Sequence, residues 1–321
     1  MKTVYKVMSS VALAGMIVGG VAWSNVQAAN QATSKTEVSQ SAVKSAPEAA
    51  RVTQNGITLE ISNVIYDGNL LSMKLDRSGS GFEGGLNSGK LDEKTGYYVM
   101  NKGAISEIDV LINGKPIEQF SGKSISSRPS LGMAPGSNDN SCYIQLSDAS
   151  QLGGNLAAFP DKFQATVSIH LEGIEKPYTM NIPVEKTTEK ATVLQPNLTR
   201  TSGNFSMTLK KANLVSTSSR LQFVIKGWEQ NRNILFDFVD DQGNKIERLG
   251  GRGTDENNSQ GDYYFDYILG GLSKETKSIT IKPFTPEFEK PNATSGAFKV
   301  DSNGDLIKHY VKELEMTLQV K

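Results

Sequence analysis

Between Gly56 and Leu75 the chain reads GITLEISNVIYDGNLLSMKL, and its apolar positions fall on every second residue. Ile57, Leu59 and Ile61 alternate with Thr58, Glu60 and Ser62, the period that sends one set of side chains into a core and the other toward water. Asp67-Gly68-Asn69 then supplies a turn. Leu71, Met73 and Leu75 alternate with Ser72, Lys74 and Asp76, so the stretch predicts two neighbouring strands with one wet face. An altered copy starts at Gly203, with Phe205, Met207 and Leu209, a polar turn over 216–220, and Leu221, Phe223 and Ile225. Two like domains are the expectation.

The same period continues through both halves. A Gly- and Ser-rich passage, SGSGFEGGLNSGK, follows Arg77 and predicts a mobile surface loop. Ile108, Val110 and Ile112 predict a strand, with Asn113-Gly114 as a tight hairpin turn and Pro116-Ile117 opening the return strand. Residues 121–140 read as a polar connection. Cys142, Ile144 and Leu146 form the next strand, and Phe163 to Leu171 a long one that turns His170 to solvent. The last strand of this half holds Tyr178, Met180, Ile182 and Val184, and Pro183, which has no amide hydrogen to give, predicts a sheet edge. In the second half strands are expected at Ile234–Phe238, Tyr263–Tyr267, Ile279–Ile281 and Leu314–Val320. The turn DDQGNK sits where Asn113-Gly114 sits in the first half. Short strands separated by turn residues fit an all-β chain of two tandem sandwiches, bounded at 51–188 and 189–321.

The N-terminus breaks this pattern. Lys2 and Lys6 precede an apolar run from Val7 to Val21, and Val26-Gln27-Ala28 offers small residues for cleavage, which reads as a signal peptide over 1–28. The run is shorter than the roughly 20 residues of a membrane-spanning helix, so membrane attachment is expected only through this segment if it stays uncleaved. Residues 29–50 are rich in Ala, Ser, Thr, Gln and Lys and read as a flexible linker. The expected location is secreted, or retained at the cell envelope.

Charge narrows the partners. The chain carries 34 Lys plus Arg against 34 Asp plus Glu, without long blocks of one sign, so no nucleic-acid footprint is expected. With one cysteine, Cys142, no disulfide can form within a chain. Its place on a strand face makes it a small buried hydrophobe rather than a reactive thiol. Two histidines, His170 and His309, leave a histidine-cysteine zinc site short of ligands. Neither GxSxG nor HExxH occurs, and the glycine-rich passage lacks phosphate-loop spacing.

Acids gather in the second half: Asp237, Asp240, Asp241, Asp255, Glu256, Asp262 and Asp266. A pair of such groups can cleave glycosides or, with turn oxygens, hold Ca²⁺. Asp240 and Asp241 in one turn, and Asp301 and Asp305 in DSNGDL, are the candidate cation ligands. DSNGDL lacks the glycine and glutamate of a calcium loop and reads first as a hairpin turn. No other cofactor is expected. Among the aromatics, Tyr263, Phe265 and Tyr267 read as core, whereas Trp228 and Tyr264 are the candidate surface residues for stacking on a ligand. The four Asn-x-Ser/Thr acceptors, at Asn197, Asn204, Asn257 and Asn292, read as chance matches.

DDQGNKIERL, with SKETKSITIKPF at Ser273–Phe284, resembles the C-terminal immunoglobulin-like domain of uncharacterised envelope proteins from Gram-positive, spore-forming bacteria. TQNGITLEISNVIYDGNLLSMKL and FPDKFQATVSIHLEGIEKPYTMNIPVEK are similar to the domain that precedes it there, so the resemblance spans roughly 52 to 321. It implies tandem immunoglobulin-like sandwiches of unknown function, often forming the outer part of a membrane-anchored regulator resembling an anti-sigma factor. This sequence differs in having no cytoplasmic segment before its apolar run, and Tyr178 stands where the family's tryptophan is expected. The expected function is non-enzymatic binding of a cell-wall polymer or an envelope protein. The alternatives are the sensor part of a membrane-tethered regulator and a carbohydrate-active enzyme using the second domain's acids.

Overall fold

The structure is a computed structural model that describes residues 49–321, apart from 95–96, 123–124, 229–232, 256–261, 291–292 and 294. The segments expected to be a signal peptide, 1–28, and a linker, 29–50, lie wholly or almost wholly outside the described residues, as do Glu256, Asn257 and Asn292. Two compact units result: one of 49–150 with Asn155–Glu189, the other of Lys190–Lys321 with Gln151–Gly154. Both are built of antiparallel strands, and among the described residues the only helical pieces are 3-10 turns. The all-β expectation holds.

The first unit contains β1 (Ala50–Gln54), β2 (Ile57–Tyr66), β3 (Leu71–Gly79), β4 (Gly89–Leu91), β5 (Tyr98–Met100), β6 (Ile105–Ile112), β7 (Lys115–Pro116), β8 (Ser130–Pro135), β9 (Ser141–Ser147), β10 (Lys162–Leu171) and β11 (Tyr178–Glu185). One sheet runs β1-β2-β3-β9-β8 and the other β11-β10-β6-β7. Asn55 and Gly56, and again Asn113 and Gly114, take positive φ in their two-residue turns, which matches the right-handed twist of the strands they join. The core lies between the sheets, where Leu59, Met73 and Ile144 face Val167, Ile169 and Ile182. Each such large side chain fully withdrawn from water stabilises the fold by about 1.5–3 kcal/mol. Tyr178 donates its hydroxyl to Gln54 O (2.9 Å) and Gln54 Nε2 donates to Pro177 O (3.0 Å), joining β11 of one sheet to β1 of the other. Pro183 sits on β11, an edge strand, as its missing donor requires.

The second unit contains β12 (Thr192–Leu194), β13 (Leu198–Ser202), β14 (Phe205–Leu214), β15 (Ser218–Lys226), β16 (Leu235–Asp240), β17 (Arg248–Thr254), β18 (Tyr263–Gly270), β19 (Ser278–Pro286), β20 (Lys308–Tyr310) and β21 (Met316–Gln319). Its larger sheet runs β14-β15-β18-β17, with β12 and β13 both on the free side of β14; in the smaller, β19 pairs β16, β20 and β21. The pairing order repeats that of the first unit: β13-β14-β15-β18-β17 answers β1-β2-β3-β9-β8, and β21-β19-β16 answers β11-β10-β6. The two copies also share a close approach. Gly79 (φ +103°) and Gly227 (φ +73°) stand at the ends of β3 and β15, and a Cβ there would lie 2.1 Å from Gly56 O and 2.2 Å from Asn204 O. Only glycine fits either place.

Three local expectations change. The glycine-rich passage is pinned rather than mobile: Leu86 is buried at 1% exposure, its amide donates to Asp139 O (2.7 Å), and its carbonyl accepts from Ile105 N (2.8 Å). Residues 130–135, read as part of a polar connection, form β8 on β9. The return strand expected to open at Pro116-Ile117 is only the two-residue β7 on β6, and Ile117–Phe120 goes on as a 3-10 turn.

Candidate functional site

Arg77 continues the inward row Leu71, Met73, Leu75 of β3, so its side chain enters the end of the first core, where it is 4% exposed. Such a burial is tolerable only if each donor finds a partner. Nη1 donates to Gly103 O, Nη2 to Gly84 O and Asn140 Oδ1, and Nε to Asn140 Oδ1 (3.1 Å). The guanidinium also lies 3.8 Å over the Phe82 ring, and burial lowers its pKa. One side chain thus ties both ends of the segment 80–104 to the sandwich.

That segment carries the β4-β5 hairpin. Gly89 pairs with Met100, Lys90 with Val99 and Leu91 with Tyr98. The Tyr98 ring covers Gly89, where a Cβ would come within 2.5 Å of it, and the Tyr98 hydroxyl donates to Gly89 O (2.9 Å). The turn closes through Asp92 N to Tyr97 O (2.8 Å). Leu91, Tyr97, Tyr98 and Val99 are 60, 74, 58 and 54% exposed. Because Leu91 and Tyr98 share one face while Val99 takes the other, both faces of this two-stranded sheet present apolar groups to solvent. Four large exposed apolar side chains on one short arm form the kind of patch that marks an interaction surface. In sequence the run Tyr97-Tyr98-Val99 is the signal of this patch, but three residues are too few for alternation to mark a strand.

The aromatic candidates separate. Trp228 is buried at 6% exposure, which corrects its reading as a surface platform. The positive φ of Gly227 turns the chain at the end of β15, and the indole folds over the core, 4.7 Å from Phe265 and 5.6 Å from Tyr263 between ring centroids. Tyr264 is half-buried on the opposite face of β18, across from Val224 and Thr254, both of which are buried. Phe265 and Tyr267 are core, as expected. They lie over β17, where a Cβ at Gly251 would meet the Tyr267 ring at 2.6 Å and one at Gly253 the Phe265 ring at 2.9 Å. The aromatic strand and the glycine strand are complementary surfaces.

Asp237, Asp240, Asp241, Asp262, Asp266 and Asp301 are each engaged. Asp237 accepts from Lys308 Nζ (3.0 and 2.7 Å) and from the Tyr310 hydroxyl (2.8 Å); burial, and then that bond to Asp237, push the Tyr310 phenol up to about 12. Asp266 receives a two-pronged bond from Arg220 (2.8 and 2.7 Å), with Arg252 3.7 Å away. Asp262 lies 3.6 Å from Lys226. Asp240 accepts from Gln242 N, Asn244 N and Asn244 Nδ2 (2.9, 2.8 and 2.9 Å), and Asp241 from Lys277 N (2.7 Å). Both carboxyls are held below the ordinary range, Asp240 chiefly by the Asn244 side chain and Asp241 by the Lys277 amide. Asp301 accepts from Asn303 N and Asp305 N (2.8 and 3.0 Å), and Asp301 N donates to Asp305 O (2.8 Å). These bonds close turns, the one at 301–305 under a Val300-Leu306 bridge, in the way Asx turns do. Cys142 is buried, and desolvation, with Asp76 adding to it, pushes its thiol up to about 12.

Residues 191–318 match a family model described as a family of unknown function, DUF5643, so the second unit is similar to proteins whose description assigns no activity. No curated protein matches the chain. Among solved structures it is similar to the crystal structure of the conserved domain protein from Bacillus anthracis, at 13% identity and a TM-score of 0.50, over 86% of this chain and 91% of that one. At that identity the likeness speaks for the fold alone. A marsupial T cell receptor aligns at 13% identity over 85% of this chain and 62% of its own, with a TM-score of 0.20, and carries no argument.

Proposed function

We propose that this chain is an exported, non-enzymatic binding protein of the cell envelope, built of two immunoglobulin-like sandwiches, that engages a partner protein through the β4-β5 hairpin. The observation that carries the reading is the exposure of Leu91, Tyr97, Tyr98 and Val99 on one arm. An arm with apolar groups on both faces, and only two strands, has little stability of its own in water; held out by the Arg77 anchor, it gains by entering a partner. Tyrosine is enriched at protein interfaces because its ring is apolar and its hydroxyl finds a bond. The unpaired outer edges of β4 and β5 add backbone donors and acceptors for strand addition. Export is supported by Lys2, Lys6 and the apolar run that follows them. Four of the acids that suggested carbohydrate chemistry, Asp237, Asp266, Asp240 and Asp241, are instead committed to Lys308, Arg220, Asn244 and turn amides.

The test is retention of envelope proteins from detergent extract, and separately of purified wall polymer, on immobilised chain. The wild type is expected to retain protein, and a Tyr97→Ser/Tyr98→Ser variant of unchanged melting temperature to lose it. Equal retention by both forms, or retention of wall polymer only, contradicts the reading.

A further inference from the structure

We propose that Glu107, Asp109 and His170, on the outer face of the first unit's smaller sheet, form a binding site for a borderline divalent transition ion of the zinc class. The placement follows from the strands. On β10, Ile169 and Leu171 face the core, so His170 between them faces out. On β6 the alternation is reset by one extra residue, Ser106, because His170 pairs with Glu107 while Leu171 pairs with Ile105. That bulge turns Ile105 inward together with Ile108, Val110 and Ile112, and leaves Glu107 and Asp109 outward on the same face as His170. The Ser106 hydroxyl donates to His170 O (3.2 Å) across the bulge. Glu107 is thus directly opposite His170, and Asp109, opposite Ser168, is its diagonal neighbour.

One ligand atom from each of the three side chains lies within 4.8 Å of the others, and His170 Nε2 is 3.4 Å from Asp109 Oδ2. Bond lengths of about 2.0–2.2 Å in a tetrahedral zinc site put ligand atoms roughly 3.4 Å apart, a distance that small side-chain rotations bring within reach of all three. Carboxylates alone suit hard ions such as Ca²⁺, whereas an imidazole nitrogen among them shifts preference toward zinc, copper or nickel. Three protein ligands leave a tetrahedral position for water. His170 and Asp109 are 34% and 58% exposed along their side chains, so a hydrated ion reaches them. His309 provides the contrast: it pairs with Glu287 (3.4 Å), but Lys299 Nζ holds the same carboxylate at 2.6 Å, and an ammonium there stands where a cation would have to approach.

Titration calorimetry of the chelator-stripped full chain with zinc chloride tests the site. One zinc per chain is expected. His170→Ala, and separately the Glu107→Gln/Asp109→Asn double variant, are expected to weaken binding by more than about tenfold, at least the loss that changes around the ligands produce. His309→Ala is expected to leave it unchanged, and calcium chloride to bind more weakly than zinc. Protection of the buried Cys142 thiol in every variant shows that the first unit remains folded. Absence of zinc binding, or binding that either His170→Ala or the double variant leaves intact, overturns the proposal.

Discussion

Replacing Arg77 with alanine is expected to destabilise the first unit by about 3–4 kcal/mol. The change removes the donors that Gly103 O, Gly84 O and Asn140 Oδ1 share, and opens a gap beside Phe82. A buried acceptor left without a partner costs about 1–3 kcal/mol; Gly84 O and Asn140 Oδ1 bond to Arg77 at half-buried positions, so the lower part of that range applies to them. Cys142 reports the result. It is the chain's single thiol, it is 1% exposed in the same core, and a thiol whose value is pushed to about 12 reacts only when the unit opens. With one decade per 1.4 kcal/mol, labelling of Cys142 by a disulfide reagent at neutral pH is expected to run about two to three orders of magnitude faster in Arg77→Ala. Arg77→Lys should fall between, because an ammonium cannot span three acceptors as the fork does. Acceleration of Arg77→Ala by less than about tenfold refutes the anchoring role.

Trp228→Ala is expected to cost the second unit about 3–5 kcal/mol in urea unfolding followed by circular dichroism, the usual range for truncating a buried aromatic; a loss below about 1 kcal/mol would return the indole to the surface. Gly79→Ala and Gly227→Ala should each destabilise their unit by about 1–3 kcal/mol by thermal melting. Gly114→Ala, at a positive φ but with nothing within 4 Å of its Cβ, should cost less, which separates the close approach from the backbone conformation. Asp240 has its folded pKa lowered from 3.8. It therefore contributes stability above the unfolded value that is lost as pH falls through the folded one. Asn244→Ala, removing the largest cause, should raise the carboxyl's NMR titration midpoint; an unmoved midpoint rejects the assignment.

Strands with one face in a core were legible as alternation, as β2, β3, β11 and β14 show, because burial and the period of two coincide there. The duplication was legible for the same reason. β8 and β17 were not: their residues are mostly half-buried along their length, so no alternation marks them. In β17 the glycines that make room for aromatic rings look in sequence like a loop. Trp228 was misplaced because the reversal at Gly227 is a backbone conformation no periodicity encodes. The Glu107, Asp109 and His170 group was hidden differently. Its outward parity could be read on each strand, but the pairing of β6 with β10 and the bulge at Ser106 are tertiary facts.

The central claim, binding through the β4-β5 hairpin, is tested most directly in cells by a photoreactive side chain placed at Val99, with a second chain carrying it at the exposed Glu313. A discrete protein adduct from position 99 that is absent from position 313 is the predicted result. Matching adduct patterns at the two positions, or none at 99, would contradict the account.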